Sequence, residues 1–195
     1  MQPPAIAISP TELVRYRAAA RDYAETERLK AELFALRAAR APFFLGIAEL
    51  EPIFAWKLER QYGRNRHQRD RNTEAEYRAI TQATFTAVRT DPSEEAAKRL
   101  QILMCLDGVG IGVASAILAL TEPTRCCVID FRGCRALYAS EKRSFTVRDY
   151  RAYRSDVDKL ARSLGWSVQE TDLALWTYDE DKNRKANKSL ETNRR

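Results

Sequence analysis

Three of the seven glycines in this chain, Gly108, Gly110 and Gly112, fall within one five-residue stretch. They separate an apolar segment holding Leu100, Leu103, Met104 and Leu106 from a second one running from Val113 to Leu120. That spacing predicts a tight turn between two helices. Alternate glycines let the backbone take positive φ and turn its amides outward, and the start of the following helix adds a positive partial charge. The combination seats an anion, with phosphate as the natural guest; the plainer alternative is that the glycines only let two helices pack closely. A second concentration of chemistry lies between Lys57 and Arg71, where Lys57, Arg60, Arg64, Arg66, Arg69 and Arg71 face only Glu59 and Asp70. Trp56 and Tyr62 bring stacking surfaces to this basic stretch, so it reads either as a nucleic-acid contact or as a solvated face.

Metal and thiol chemistry finds little footing. Cys105, Cys126, Cys127 and Cys134 show no C-x-x-C spacing, and His67 is the only histidine. The cysteines read as reduced packing thiols, and no metal site is assigned.

Helices must position these residues, and their start signals recur along the chain. Ser9-Pro10-Thr11-Glu12, Thr73 to Glu76, Asp91-Pro92-Ser93-Glu94, Thr146 to Asp149 and Ser167 to Glu170 each pair a capping side chain with an acid three residues on. Gly165 suits the stop of the helix before the last of these. Apolar residues recur at helical spacing, as in Leu29, Leu33 and Leu36 or Tyr77, Ile80, Thr84 and Val88. Only Cys126 to Ile129 resembles an extended piece. The expected fold is all-α, a compact bundle of about eight or nine helices around the glycine turn. Residues 1–181 read as one domain, with a long helix over 10–39 inside a candidate N-terminal arm (1–40), and 182–195 as a basic flexible tail.

With 195 residues, 45% of them apolar, the chain can bury a sizeable core. A balance of 33 basic against 27 acidic residues gives a net charge of +6, which favours polyanionic partners. No apolar run approaches the ~20 residues of a membrane span, and Met1-Gln2-Pro3-Pro4 does not open like a secretory signal, so a cytoplasmic protein without membrane partners is expected.

The run Leu106-Asp107-Gly108-Val109-Gly110-Ile111-Gly112-Val113-Ala114-Ser115-Ala116, followed by Val128-Ile129-Asp130 and Arg135, resembles the helix-hairpin-helix DNA glycosylase superfamily. That family's pattern reads L-P-G-V-G-x-K-T-A, then an apolar pair before an aspartate, with an arginine five residues further on. The motif likeness covers about residues 98 to 138. It implies double-stranded DNA as partner, with Gly108, Val109, Gly110 and Gly112 forming the phosphate seat; Arg64 and Arg66, from the basic stretch, are then the candidates for further backbone contacts. It also implies that Asp130 faces a pocket for a flipped nucleotide, where a carboxylate stabilises the positive charge that builds on the sugar as the N-glycosidic bond breaks, or orients water. Asp130 reads equally as a cap for a helix starting at Phe131.

The departures from the pattern also carry implications. Gly112 stands where some members carry a Schiff-base lysine, so the expected enzyme is monofunctional, without lyase activity at that position. Asp107 replaces the usual proline and puts a negative charge, or a local cap, beside the seat. Phe131-Arg132 replaces threonine-histidine, which makes Arg132 part of an altered pocket wall. All four cysteines precede residue 135, so no iron–sulfur cluster or other cofactor is expected. By position, Trp56 and Tyr62 are candidates to stack on a base and Lys57 to contact a phosphate, although Trp56, like Trp166 and Trp176, also suits the core. The reading is thus a monofunctional DNA N-glycosylase. The alternatives are a non-catalytic helix-hairpin-helix DNA-binding protein and a helical protein-interaction module.

Overall fold

The computed structural model describes residues 8–17, 19 and 23–192, with Tyr23 and 185–192 described by backbone alone. It is all-helical, with no strand among the described residues. The helices are α1 (Pro10–Arg17), α2 (Tyr23–Ala39), α3 (Ile47–Leu58), α4 (Arg66–Arg69), α5 (Glu74–Thr86), α6 (Pro92–Leu103), α7 (Ile111–Thr121), α8 (Phe131–Tyr138), α9 (Val147–Leu164) and α10 (Val168–Thr192). A 3-10 turn, Glu59–Gln61, follows α3.

The capping signals act as the sequence predicts. The hydroxyls of Thr73 and Thr146 accept the amides of Glu76 and Asp149 at 3.2 and 3.3 Å, while those acids reach back to the cap's own amide. Asp91 accepts the amide of Glu94 at 2.7 Å, and Ser167 that of Glu170 at 3.1 Å. Gly165 ends α9 in the left-handed region at φ 66°.

The N-terminal region departs from expectation. The single helix predicted over 10–39 is two, α1 and α2; positions 18 and 20–22 between them lie outside the described residues. Their apolar faces have different partners, since α1 with Leu13 and Tyr16 packs on α10, whereas α2 with Leu29 and Leu33 packs on α7. Neither is an arm, because all four of these side chains belong to the one apolar core. At the other end, the stretch from Lys182 that reads as a flexible tail continues α10 as far as Thr192.

At the centre lies α7, whose residues Val113 to Leu120 are all buried, as befits a helix that is apolar all round. α2, α3 and α6 pack against it. Around its C-terminal end, charges are buried in pairs. Arg99 of α6 bonds to Glu122 at 2.5 and 2.6 Å and donates to the Ala87 carbonyl, while Arg154 of α9 donates to the Arg125 carbonyl and the Ser93 hydroxyl. Burying a charge is costly unless it is paired in this way. A second fork, Arg135 to Asp179 with both contacts at 2.7 Å, joins α8 to α10.

Among the described residues no helix is long and apolar enough to cross a membrane.

Candidate active site

The glycine cluster forms the predicted turn between α6 and α7. Gly108 takes φ 75°, and a Cβ added there would stand 2.8 Å from Arg69 Cγ and 3.0 Å from the Arg69 backbone nitrogen. This position therefore requires glycine twice over, for its dihedral and for close contact with α4. Gly110 caps α7 in extended conformation, and a Cβ there would meet nothing within 4 Å. The first-turn amides of Ile111 and Gly112 find no acceptor among the described residues, as is usual where a helix start faces solvent. Val109 differs from expectation, because its side chain is buried and its amide donates to the Leu106 carbonyl at 3.2 Å within the turn. Its amide is therefore not available to a phosphate in this arrangement.

The turn is held from outside by Asn72, whose amide group bonds to both the N–H and the carbonyl of Asp107. Tyr77 supports the same corner by donating to the Arg69 carbonyl at 2.8 Å. The basic stretch thus abuts the hairpin through α4. Arg60, Arg64, Arg66 and Arg71 are exposed there, with Arg66 only loosely paired to Asp70 at 3.8 Å. Arg69, counted with them in the sequence reading, is 1% exposed and sits 5.1 Å from the rings of both Phe54 and Tyr62. It is a packing residue, not part of the charged surface.

α7 leads directly to Asp130. The Ser115 hydroxyl accepts the Ile129 amide at 3.1 Å and donates to the Gly112 carbonyl at 2.9 Å, fastening the segment before Asp130 along the start of α7. Asp130 caps α8, with Oδ1 accepting the amides of Arg132 and Gly133, both at 3.0 Å. Oδ2 receives the ammonium of Lys57 from α3 at 3.1 Å. The side chains of Lys57 and Asp130 are 17% and 19% exposed.

Both line a cavity of about 330 Å³ between the end of α3, the start of α8 and one face of α10. Trp56 forms a wall, and its indole N–H donates to buried Thr26 at 3.1 Å, so this residue is both anchored in the core and presented to the cavity. Arg132 stands opposite, its guanidinium 4.4 Å from the centre of the Trp176 ring and 3.6 Å from Glu180. Glu59, at the rim, takes a left-handed φ of 45°, the break that turns the chain away from α3.

Tyr62 does not join them. Its hydroxyl donates to Glu51, which holds the phenol above its ordinary pKa, and it is not among the residues lining the cavity. Lys57, expected to contact a phosphate, lines the cavity with its ammonium on Asp130.

Two residues that sequence reasoning passed over belong to the cavity. Trp176 suits helix packing by sequence, and Asp172 carries no motif, yet both face inward from α10 together with Gln169. The signal was present as Gln169 and Asp172, polar residues three apart on the helical face that also carries Trp176, where a core helix should be apolar. Asp172 is 6% exposed, accepts the Val128 amide at 2.8 Å and receives the Tyr153 hydroxyl. Burial, with the neighbouring Asp130 charge second, pushes its pKa up to about 7. Gly133 makes this contact possible, because a Cβ there would overlap the Tyr153 hydroxyl.

The cysteines take no part in such chemistry. Cys126, Cys127 and Cys134 are buried, and burial raises all three thiols, Cys126 to about 12, so they stay protonated. Among the described residues no group of three His, Cys, Asp or Glu side chains is arranged to hold a metal ion.

Chemically, the site joins a carboxylate and an amine in one partly covered cavity with two indole rings and a guanidinium. Such a set can sandwich a planar ring, stabilise a developing cation and move a proton.

Searches against protein-family models, characterised proteins and solved structures give no match to this chain.

Proposed function

We propose that this chain is a DNA N-glycosylase that receives a flipped nucleotide in the Asp130 cavity and removes its base by hydrolysis. The observation that carries the proposal is the placement of Asp130. It combines the motif position expected for a catalytic carboxylate with a largely covered side chain in a cavity of about 330 Å³, within the range of small-molecule sites. The glycine turn lies close by, because a Cβ on Gly112 would stand 3.8 Å from the carbonyl of Ile129, the residue before Asp130.

In this reading the duplex backbone rests on the open amides at the start of α7 and on the exposed arginines beside α4. The extruded base lies between Trp56 and the Arg132–Trp176 pair. As the glycosidic bond lengthens, positive charge grows on the sugar, and the fixed Asp130 carboxylate stabilises it or orients the attacking water. Two backbone amides hold Oδ1, so the carboxylate needs little reorganisation as the reaction proceeds. The proposal includes the cytoplasm as the working compartment, where unpaired cysteines persist as thiols.

One observation favours a second reading. The three hydrogen bonds to Asp130 are also what a purely structural helix cap would make, and then the chain is a non-catalytic DNA-binding protein. Incubation with duplexes bearing a panel of altered bases, followed by alkaline cleavage of abasic sites, separates the two. Base release that disappears in Asp130→Asn while DNA affinity stays within a few-fold is the expected result. Release that survives this substitution overturns the enzymatic role.

A further inference from the structure

Breaking a glycosidic bond without prior protonation makes two charges, and Asp130 answers only one of them. The bonding electrons leave with the base nitrogen, so positive charge on the sugar is matched by negative charge on a base that was neutral in DNA. That second charge calls for donors with hydrogen bonds still to give, and two side chains of the cavity have them.

Arg132 lies in the first turn of α8, and its side chain lines the cavity opposite Trp56. Its Nη1 is buried and makes no hydrogen bond, because Glu180 stands 3.6 Å away, beyond hydrogen-bond length. Gln169, only 2% exposed, lines the same cavity from α10. Its Oε1 accepts the Lys30 ammonium at 3.0 Å. An ammonium can only donate, so this contact fixes which end of the amide is oxygen and leaves the N–H2 group without an acceptor among the described residues. A buried donor with no acceptor is costly, and a ligand that supplies one removes the cost. The carboxyl groups nearby do little to oppose a negative guest. Asp130 is paired with the Lys57 ammonium, Glu180 with Arg132, and Glu59 stays at the rim. Asp172 accepts the Val128 amide and the Tyr153 hydroxyl, and burial pushes its pKa up to about 7, so near neutrality much of it is uncharged.

We propose that Arg132 and Gln169 bind the departing base as an anion. The substrates of this site are then bases that are neutral in DNA and leave with negative charge spread over ring carbonyls, not bases made cationic by N-alkylation, which leave uncharged. The inference rests on the glycosylase reading in one respect, that the base is extruded into this cavity. The C1′–N bond breaks with both electrons passing to the base nitrogen, and the ring carbonyls carry the charge to the Arg132 and Gln169 donors. Water adds to C1′ and gives a proton to the Asp130 carboxylate, from which it passes to solvent. The base anion takes a proton from solvent as it leaves. The sum is hydrolysis, with no oxidant or reductant.

Free bases test the binding step without any need for catalysis. Near neutral pH barbiturate is an anion and uracil is neutral, although the two rings differ by one oxygen, and a single pH keeps Asp172 in the same state for both. Calorimetric titration of the full chain should show barbiturate binding about tenfold more tightly than uracil, the size of one charge-assisted hydrogen bond. Arg132→Gln should erase that difference, and it keeps the backbone N–H that Asp130 accepts. Gln169→Glu keeps an oxygen for Lys30 but replaces the N–H2 group by a second oxygen, so it should erase the difference as well. Equal affinities in the parent chain, no binding of barbiturate, or a preference for the anion that survives both substitutions overturns the proposal. In duplexes, release of neutral bases should quicken as the departing ring N–H grows more acidic, and Arg132→Gln should flatten that trend. Release confined to cationic bases, or equal across the series, ends this inference and leaves the glycosylase reading standing. Anion binding that depends on Arg132, without release from any duplex, does the reverse.

Discussion

The side-chain amide of Asn72 pairs with the backbone of Asp107 in both directions, accepting its N–H at 2.8 Å and donating to its carbonyl at 3.0 Å. Proline at position 107 has no N–H to offer, so the substitution of aspartate for the pattern's proline and the presence of Asn72 belong together. The clamp fixes the turn that α7 grows from, and hence the direction in which its open amides face. Replacing Asn72 by Ala should cost about 1–3 kcal/mol of stability in urea unfolding, because two backbone groups lose a partner. An unchanged midpoint would mean that water replaces the amide without penalty.

The two readings of the glycine cluster separate at Gly108 and Gly110. Gly108→Ala faces a positive φ and the backbone of Arg69, and should lose about 2 kcal/mol or more of stability. Gly110→Ala places its methyl in open space and should cost under about 1 kcal/mol as a change of cap residue. If phosphate rests at this helix start, the same variant should weaken DNA binding about tenfold, the size of one charge-assisted hydrogen bond. Full affinity in folded Gly110→Ala would leave the glycines with a packing role alone.

Arg64 and Arg66 are exposed beside the hairpin, whereas Arg69 is sealed beneath it. Charge reversal of either exposed arginine to Glu should make the salt dependence of DNA affinity shallower by about one unit of slope per lost phosphate contact. Arg69→Met should instead lower stability and leave that slope intact. A titration series in salt, with circular dichroism for folding, distinguishes the two outcomes.

Asp172 offers a pH signature. An acid whose pKa is raised in the folded state holds its proton more tightly there than in the unfolded chain. Its contribution to stability is therefore full below the ordinary value of 3.8 and falls as pH rises toward about 7. Asp172→Asn removes that dependence while keeping an acceptor for the Val128 amide. The variant should gain stability relative to the parent between pH 5 and pH 8, by a few kcal/mol at most. Parallel unfolding curves for the two proteins across that range would contradict the assignment.

Much of the fold is legible because its signals are local. Thr73, Asp91 and Thr146 cap their helices through side chains three residues from their partners, and Gly108 and Gly165 mark their turns with a positive φ. Misreadings occur where the deciding contact is distant. The periodicity of residues 10–39 does not say that its two halves face α10 and α7, and the charge of Arg69 does not say that Phe54 and Tyr62 enclose it. In the site, Asp130 and the glycines are motif residues within one stretch of chain. Its partner Lys57 lies 73 residues away, and the inward face of α10 is built from residues with ordinary packing roles elsewhere.

The Arg135–Asp179 fork gives the cavity unequal walls. It locks the helix that begins at Asp130 to the helix that carries Trp176, so those two sides act as a single jaw. The opposing jaw, Trp56 to Glu59, ends at a backbone break, and it is tied across to Asp130 by the Lys57 ammonium. Under the proposed function, a nucleotide that needs a wider mouth would first part Lys57 from Asp130, which would make that one ion pair the latch of the entrance.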